Sequence, residues 1–157
     1  MASAEAIRSI VEYNYAMHRR MWESIRQLSD EQFLQPIPYS HGSVRNQVIH
    51  VAGVDRRWLA GLLGKADVGH LTTTDYPSID AACALCEGVA HDVLGFVADL
   101  DDDGLEQFPP YMPGPAWQIL AHLVNHGTDH RAQILRALHD LGLPTFDQDL
   151  ILYLWKI

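Results

Sequence analysis

The stretch "HLVNHGTDHR", residues 122–131, places three histidines four residues apart. On a helix, imidazoles at i and i+4 project from one face and can chelate one divalent ion, as they do in helical zinc motifs. Which rings bind depends on which point inward. On a wheel of about 100° per residue, Ile119, Leu123, Ile134, Ala137, Leu138 and Leu141 cluster on one side. His130 lies inside that cluster, and His126 lies at its edge, about 40° round. His122 lies about 40° further out, beside Asp129 and Arg136. His126 and His130 are therefore the inward pair, and a third ligand must come from another helix. His50 is the best candidate, because it sits along the apolar stripe of its own helix. A single histidine near a core is more often a neutral ring bonded to a carbonyl. An i, i+4 pair facing a core is much less often so.

The remaining polar candidates are weaker. Asn14 and His18 fall on the inner face of the first helix, where either could orient a ligating ring or a bound ligand. His18 could also be a fourth ligand. Arg131 sits at the far edge of the apolar stripe, where an internal ion pair is the expected role. His41 and His70 lie in loops, and His91 and His139 lack partners at metal spacing, so all four read as solvated or locally structural. No Glu-x-x-His occurs, which excludes the carboxylate–histidine pattern of di-iron bundles. The "CALC" at Cys83 and Cys86 has neither a βαβ setting nor a second CxxC. It reads as two small hydrophobes on a buried helix face.

Four long amphipathic segments carry these residues. The first runs from about Ser3 to Leu28, with Ile7, Ile10, Val11, Met17, Met21 and Ile25 at helical spacing. "SDEQFLQPIPYSHG" breaks it. The second starts near Ser43, a good N-cap, and runs to about Leu63. The third spans about Ser78 to Leu100 and is followed by "DDDG". Acidic residues oppose the dipole at a helix C-terminus, so these belong to a loop. Pro115 suits the first position of the fourth helix, which continues to about Leu141 and stops at Gly142 and Pro144. "DQDLILYLWK" makes a short tail helix with Asp147 as its N-cap. No segment alternates with period two. The expectation is an all-α fold: an up-down-up-down four-helix bundle with a short C-terminal helix, one domain over residues 1–157.

Bulk composition narrows the function classes. With 157 residues, 48% of them hydrophobic, the chain can bury a core unaided. A formal net charge of −9 argues against docking on nucleic acid or anionic membranes. No apolar run is expected to span a bilayer and no secretory signal is evident, so the expected location is cytoplasmic.

Several stretches together resemble the DinB-like (DNA-damage-inducible) bundle metalloproteins. This superfamily includes bacillithiol- and mycothiol-dependent S-transferases and a maleylpyruvate isomerase. "VEYNYAMHRRMW" is similar to the family's first-helix pattern and "GSVRNQVIHVAGVDRRWL" to its second-helix histidine segment. "HLVNHGTDHRAQIL" is similar to its HxxxHRGQ signature, with Ala132 in place of the usual glycine, and "GLPTFDQDLILYLW" to its tail. The resemblance implies one divalent metal on His50, His126 and His130, the set that the wheel favours independently. It also implies a homodimer, and it matches His122 to a histidine at a non-ligand position.

Three neutral imidazoles leave an ion with open positions, which is a catalytic arrangement. Zinc, nickel, iron or a similar ion would suit them. The expected function is a metal-dependent enzyme, most readily a thiol-dependent S-transferase acting on a small electrophile with a low-molecular-weight thiol. The alternatives are a metal-dependent hydrolase and a non-enzymatic metal-binding stress-response protein. Elemental analysis of untagged protein checks the ranking of the rings. Metal is expected to fall sharply in His50→Ala, His126→Ala and His130→Ala and to persist in His122→Ala. The reverse pattern for His122 and His130 would mean that the helical register is wrong.

Overall fold

The computed structural model describes residues 3–65 and 67–156. Seven α-helices occur among them: α1 (Ala4–Ile25), α2 (Asp30–Leu34), α3 (Val44–Leu62), α4 (Ile79–Ala98), α5 (Asp102–Glu106), α6 (Ala116–Asp140) and α7 (Leu150–Trp155). No strand is present among the described residues. The four long helices match the four periodic segments to within a few residues. Ser43 and Ser78 cap α3 and α4 as their hydroxyls suggest, accepting from the amides of Asn46 and Ala81.

The short helices depart from expectation. "SDEQFL" folds as α2, started by a capping box in which Ser29 and Gln32 bond each other's backbone amides. The "DDDG" run begins α5 instead of forming loop. Asp101 caps it, and Asp102 and Asp103 occupy the first turn, where the dipole favours negative charge. The tail helix begins after Asp149, not Asp147.

Helix order also departs from expectation. α1 packs on α6 and α4, and α3 packs on α4 and α6, which closes a ring with consecutive helices α1 and α3 on a diagonal. Directions follow from the two halves of the core. In one half, the starts of α1 and α6 (Ala4, Ile7, Ala116, Ile119) meet the ends of α3 and α4 (Leu59, Leu62, Val93, Val97). In the other, Trp22, Ile25, Ile134 and Leu138 meet Val44, Val48, Ala82 and Cys83. So α1 and α6 run one way and α3 and α4 the other, giving up-down-down-up instead of the expected up-down-up-down. The cause is the link 63–78. Its residues 68–71 lie back along α3: Arg56 donates to the Val68 carbonyl at 2.6 Å, and Leu71 lies against Gly53. At about 3.3 Å per extended residue this link easily outreaches a helix rising about 1.5 Å per residue.

α4 is long and apolar enough, by length and composition alone, to cross a membrane, contrary to the expectation that no segment would be. It nevertheless carries Asp80, Glu87, His91 and Asp92, and it buries Ala82, Cys83, Val89, Val93 and Val97 at helical spacing in the core. Cys83 and Cys86 are free thiols on this helix; Cys83 is buried but accepts from Arg26 and donates to Glu87, and Cys86 is half-buried, so the hydrophobe reading holds only in part.

Between the two halves of the core lies a polar layer centred on Arg131, which is only 1% exposed. Its guanidinium donates to the Asn14 side-chain oxygen at 2.8 Å, the Asn14 carbonyl at 3.3 Å, Thr128 Oγ1 at 3.2 Å and Gln148 Oε1 at 2.7 Å. The expected ion pair is absent among the described residues: neutral oxygens satisfy the charge. One side chain thereby ties α6 to α1 and to the segment before α7. Tyr13 adds to the tie by donating to the Gln148 carbonyl. Asn14 is held so close to α6 that a Cβ at Gly127 would lie 2.4 Å from its side-chain oxygen. Gly→Ala inside a helix ordinarily gains up to about 1 kcal/mol. At Gly127 the expected outcome is reversed: denaturant titration of Gly127→Ala should show a loss of about 1–3 kcal/mol from overpacking.

Candidate metal centre

His50 comes from α3, and His126 and His130 come from α6, whose packing against α3 brings the three rings together. Ring centroids of His126 and His130 lie 4.4 Å apart, and His50 lies 5.2 Å and 4.7 Å from them. Burial on α6 follows the wheel: His130 is buried, His126 half-buried and His122 exposed. His50 Nε2 and His126 Nε2 are 3.2 Å apart. Two ring nitrogens sharing a tetrahedral ion at ordinary zinc–nitrogen lengths lie about 3.3 Å apart, so this spacing fits a shared metal. His130 Nδ1 lies 3.4 Å from Gln47 Oε1, an acceptor that sets the tautomer and leaves Nε2 free to ligate. Gln47 is fully buried one turn before His50 on the same face of α3. That i, i+3 spacing could have revealed it in the sequence.

A fourth ring joins the cluster. His41, in the loop before α3, stacks on His50 with centroids 3.8 Å apart and planes 22° apart. One nitrogen from each of His41, His50 and His130 lies within 4.8 Å of the others. By its spacing His41 reads as a solvated loop residue, since nothing there signals that the loop folds over α3.

All three helix rings are held neutral, as ligation requires. Burial lowers His50 to about 4, helped by His41, His130, His126 and Arg57. Burial also lowers His126 to about 4, with His130 and His122 adding and Asp129 opposing. Burial and His41 lower His130 as well. His126 Nδ1 is buried with no hydrogen-bond partner.

Two cavities flank the cluster. One, of about 470 Å³, reaches His122 and His126 and is walled by Trp58, Tyr111, Met112, Arg57 and Lys65. The other, of about 260 Å³, is more polar and reaches His41 and His50 past Asn46, His70 and Thr73. Val54 and Arg57 line both.

The DinB family model matches residues 1–156. The chain belongs to the DinB family. Among solved structures, a DinB-like protein from Bacillus cereus is similar in fold, with a TM-score of 0.70 at 22% identity. The match covers 92% of this chain and 97% of that one. No curated protein matches the chain.

Asn14 and His18 lie behind the histidine cluster of this DinB-family chain. Asn14 is committed to Arg131 and packs on Gly127, next to His126. His18 lies near Gly127 and makes an edge contact with Tyr15 at 5.6 Å; burial and then Arg131 lower it to about 3. His122 contacts the edge of Trp58 at the mouth of the larger cavity. Asp55, 1% exposed, accepts from the Tyr15 hydroxyl at 2.8 Å, and burial raises it to about 7 despite that bond and Arg131.

These groups set opposite pH dependences in the metal-free protein. Unfolded histidines gain protons near 6.5, whereas folded His18, His50 and His126 gain them only near 3 to 4. The unfolded chain therefore binds more protons between those values, and stability rises with pH across that window. Asp55 acts the other way, since the fold keeps its proton up to about 7 and the unfolded chain loses it near 3.8. Three groups outweigh one, so the melting temperature of metal-free protein should climb from pH 4 to 6.5. In Asp55→Asn, which keeps an oxygen for Tyr15, the climb should steepen; a shallower climb would contradict the assignment.

Proposed function

We propose that this protein is a metal-dependent transferase that joins a low-molecular-weight thiol to a small electrophile. His50, His126 and His130 are its metal ligands. The observation that carries this reading is the 3.2 Å approach of His50 Nε2 to His126 Nε2 between two chambers of different character. A divalent ion on these imidazoles supplies positive charge that lowers the pKa of a thiol or water beside it. The chain's own residues do the rest. Gln47 holds the His130 ring in one orientation through Nδ1. Trp58 and Met112 offer an apolar wall to the body of an electrophile; Arg57 pairs with Asp67 at 3.8 Å in the same chamber, which leaves Lys65 to meet an anionic group. The polar chamber beside His50 suits the thiol. In the transfer, the thiol sulfur bonds to the electrophilic carbon, the leaving group departs with its electron pair, and the thiol proton passes to solvent.

A cytoplasmic homodimer is the setting proposed for this activity. Exposed Ile151, Leu152, Leu154 and Trp155 on α7 favour self-association, and the net charge of −9 disfavours nucleic acid and membrane as partners.

Metal-loaded protein mixed with 2-mercaptoethanol and a chromogenic aryl halide should consume thiol faster than buffer alone. The rate should drop to background in His126→Ala. Ester hydrolysis without thiol consumption would point to the hydrolase, and no turnover by fully metal-loaded protein to a metal-binding scaffold.

A further inference from the structure

We infer that His41 is a fourth ligand that completes the metal centre at rest and must give way when a substrate thiol arrives. The inference rests on the three-histidine site proposed above. Its starting point is position: nitrogens of His41, His50 and His130 fall within 4.8 Å of one another. Nitrogens sharing one tetrahedral ion lie about 3.3 Å apart, so these rings would draw together by up to about 1.5 Å on binding, and His126 joins them through its 3.2 Å approach to His50 Nε2.

The loop is built to deliver this ring. The Asn46 side chain donates to the His41 carbonyl at 3.0 Å. The Ile37 amide donates to the Gly42 carbonyl at 2.9 Å, and the Gly42 amide to the Tyr39 carbonyl at 3.2 Å. Ser40 and Gly42 flank His41 with φ of 53° and 82°, left-handed conformations that fold the loop back over α3. The backbone of His41 is thus held, and its ring, exposed on the outer side, lies flat on His50 and 5.3 Å from His130.

Four imidazoles fill the tetrahedral positions of a zinc-like ion, as in a closed structural site. His41 is the ligand best suited to leave, because His126 and His130 are fixed by α6 and His50 by α3. It also lines the polar chamber from which a thiol would approach.

Cobalt(II) tests this without any turnover. Apo-protein is loaded with cobalt as wild type, His41→Ala and His41→Phe, the last keeping a ring to stack on His50 but no nitrogen to ligate. Chelator competition gives the cobalt Kd, and visible absorption reports the donor set. Both variants should change the cobalt bands and bind cobalt more weakly, by at least the roughly tenfold that loss of an outer partner alone can cost. 2-Mercaptoethanol should shift the bands at lower concentration in both variants than in wild type. Unchanged bands and Kd in both variants would overturn the inference, as would wild-type behaviour in His41→Phe with loss only in His41→Ala, which would assign the ring to stacking. Wild-type protein that binds no cobalt would instead remove the three-histidine site itself, and this inference with it.

Discussion

A guanidinium cannot be left bare inside a protein, and Arg131 is almost completely buried. Much of the architecture follows from satisfying it. Its donors are met by Asn14 from α1, Thr128 from its own helix and Gln148 from the chain before α7. For Asn14 to reach it, α1 and α6 must approach closely, and that approach is possible only because Gly127 has no side chain. Neighbouring positions on α6 are His126 and His130. The residues that fix the placement of α6 are therefore interleaved with the residues that face α3, and a shift in one set would displace the other.

Behind the histidines this polar layer is also electrostatically tense. Arg131 raises the cost of protonating His18, and burial holds Asp55 partly protonated near neutral pH. The buried carboxylate, Asp55, bonds Tyr15 and not Arg131. A cavity of about 50 Å³ adjoins Asp55, His18 and Arg131, large enough to hydrate the Asp55 oxygen that has no protein partner. In front of the layer, desolvation keeps the imidazoles neutral. Neutral donors are what a divalent cation requires, so the burial that makes protonation unfavourable prepares the same rings for metal.

Part of the candidate cluster was legible in the sequence. The four-residue spacing of His126 and His130 and the position of His50 on an apolar stripe single out three rings that lie together in the fold, whereas His41, which joins His50 and His130, was not among them. Their burial order on α6 agrees with the wheel because both depend only on helical periodicity. Gln47 was legible in principle, one turn from His50, but glutamine carries no chemical signature until a partner is known. Arg131 reads from the sequence as an edge residue, but it is buried at the centre of the polar layer. Hydropathy alone cannot show that Asn14 and Gln148 would line up to satisfy a charge so deep in the core.

By itself the sequence determined the all-helical class, the four long helices, the Ser43 cap of α3 and the faces the helices bury. These are local matters, decided by spacing along one chain and by hydrogen bonds a few residues apart. Only tertiary structure decided the directions of the helices, because the link 63–78 could either turn sharply or run back along α3, and its packing at Arg56 and Gly53 selected the return. Likewise, the meeting of His41 with His50 depends on a loop fold that bridges nine residues of sequence and leaves no periodic trace. Chemistry held by a helix can be read from its repeat; chemistry delivered by a loop exists only once the chain has folded over it.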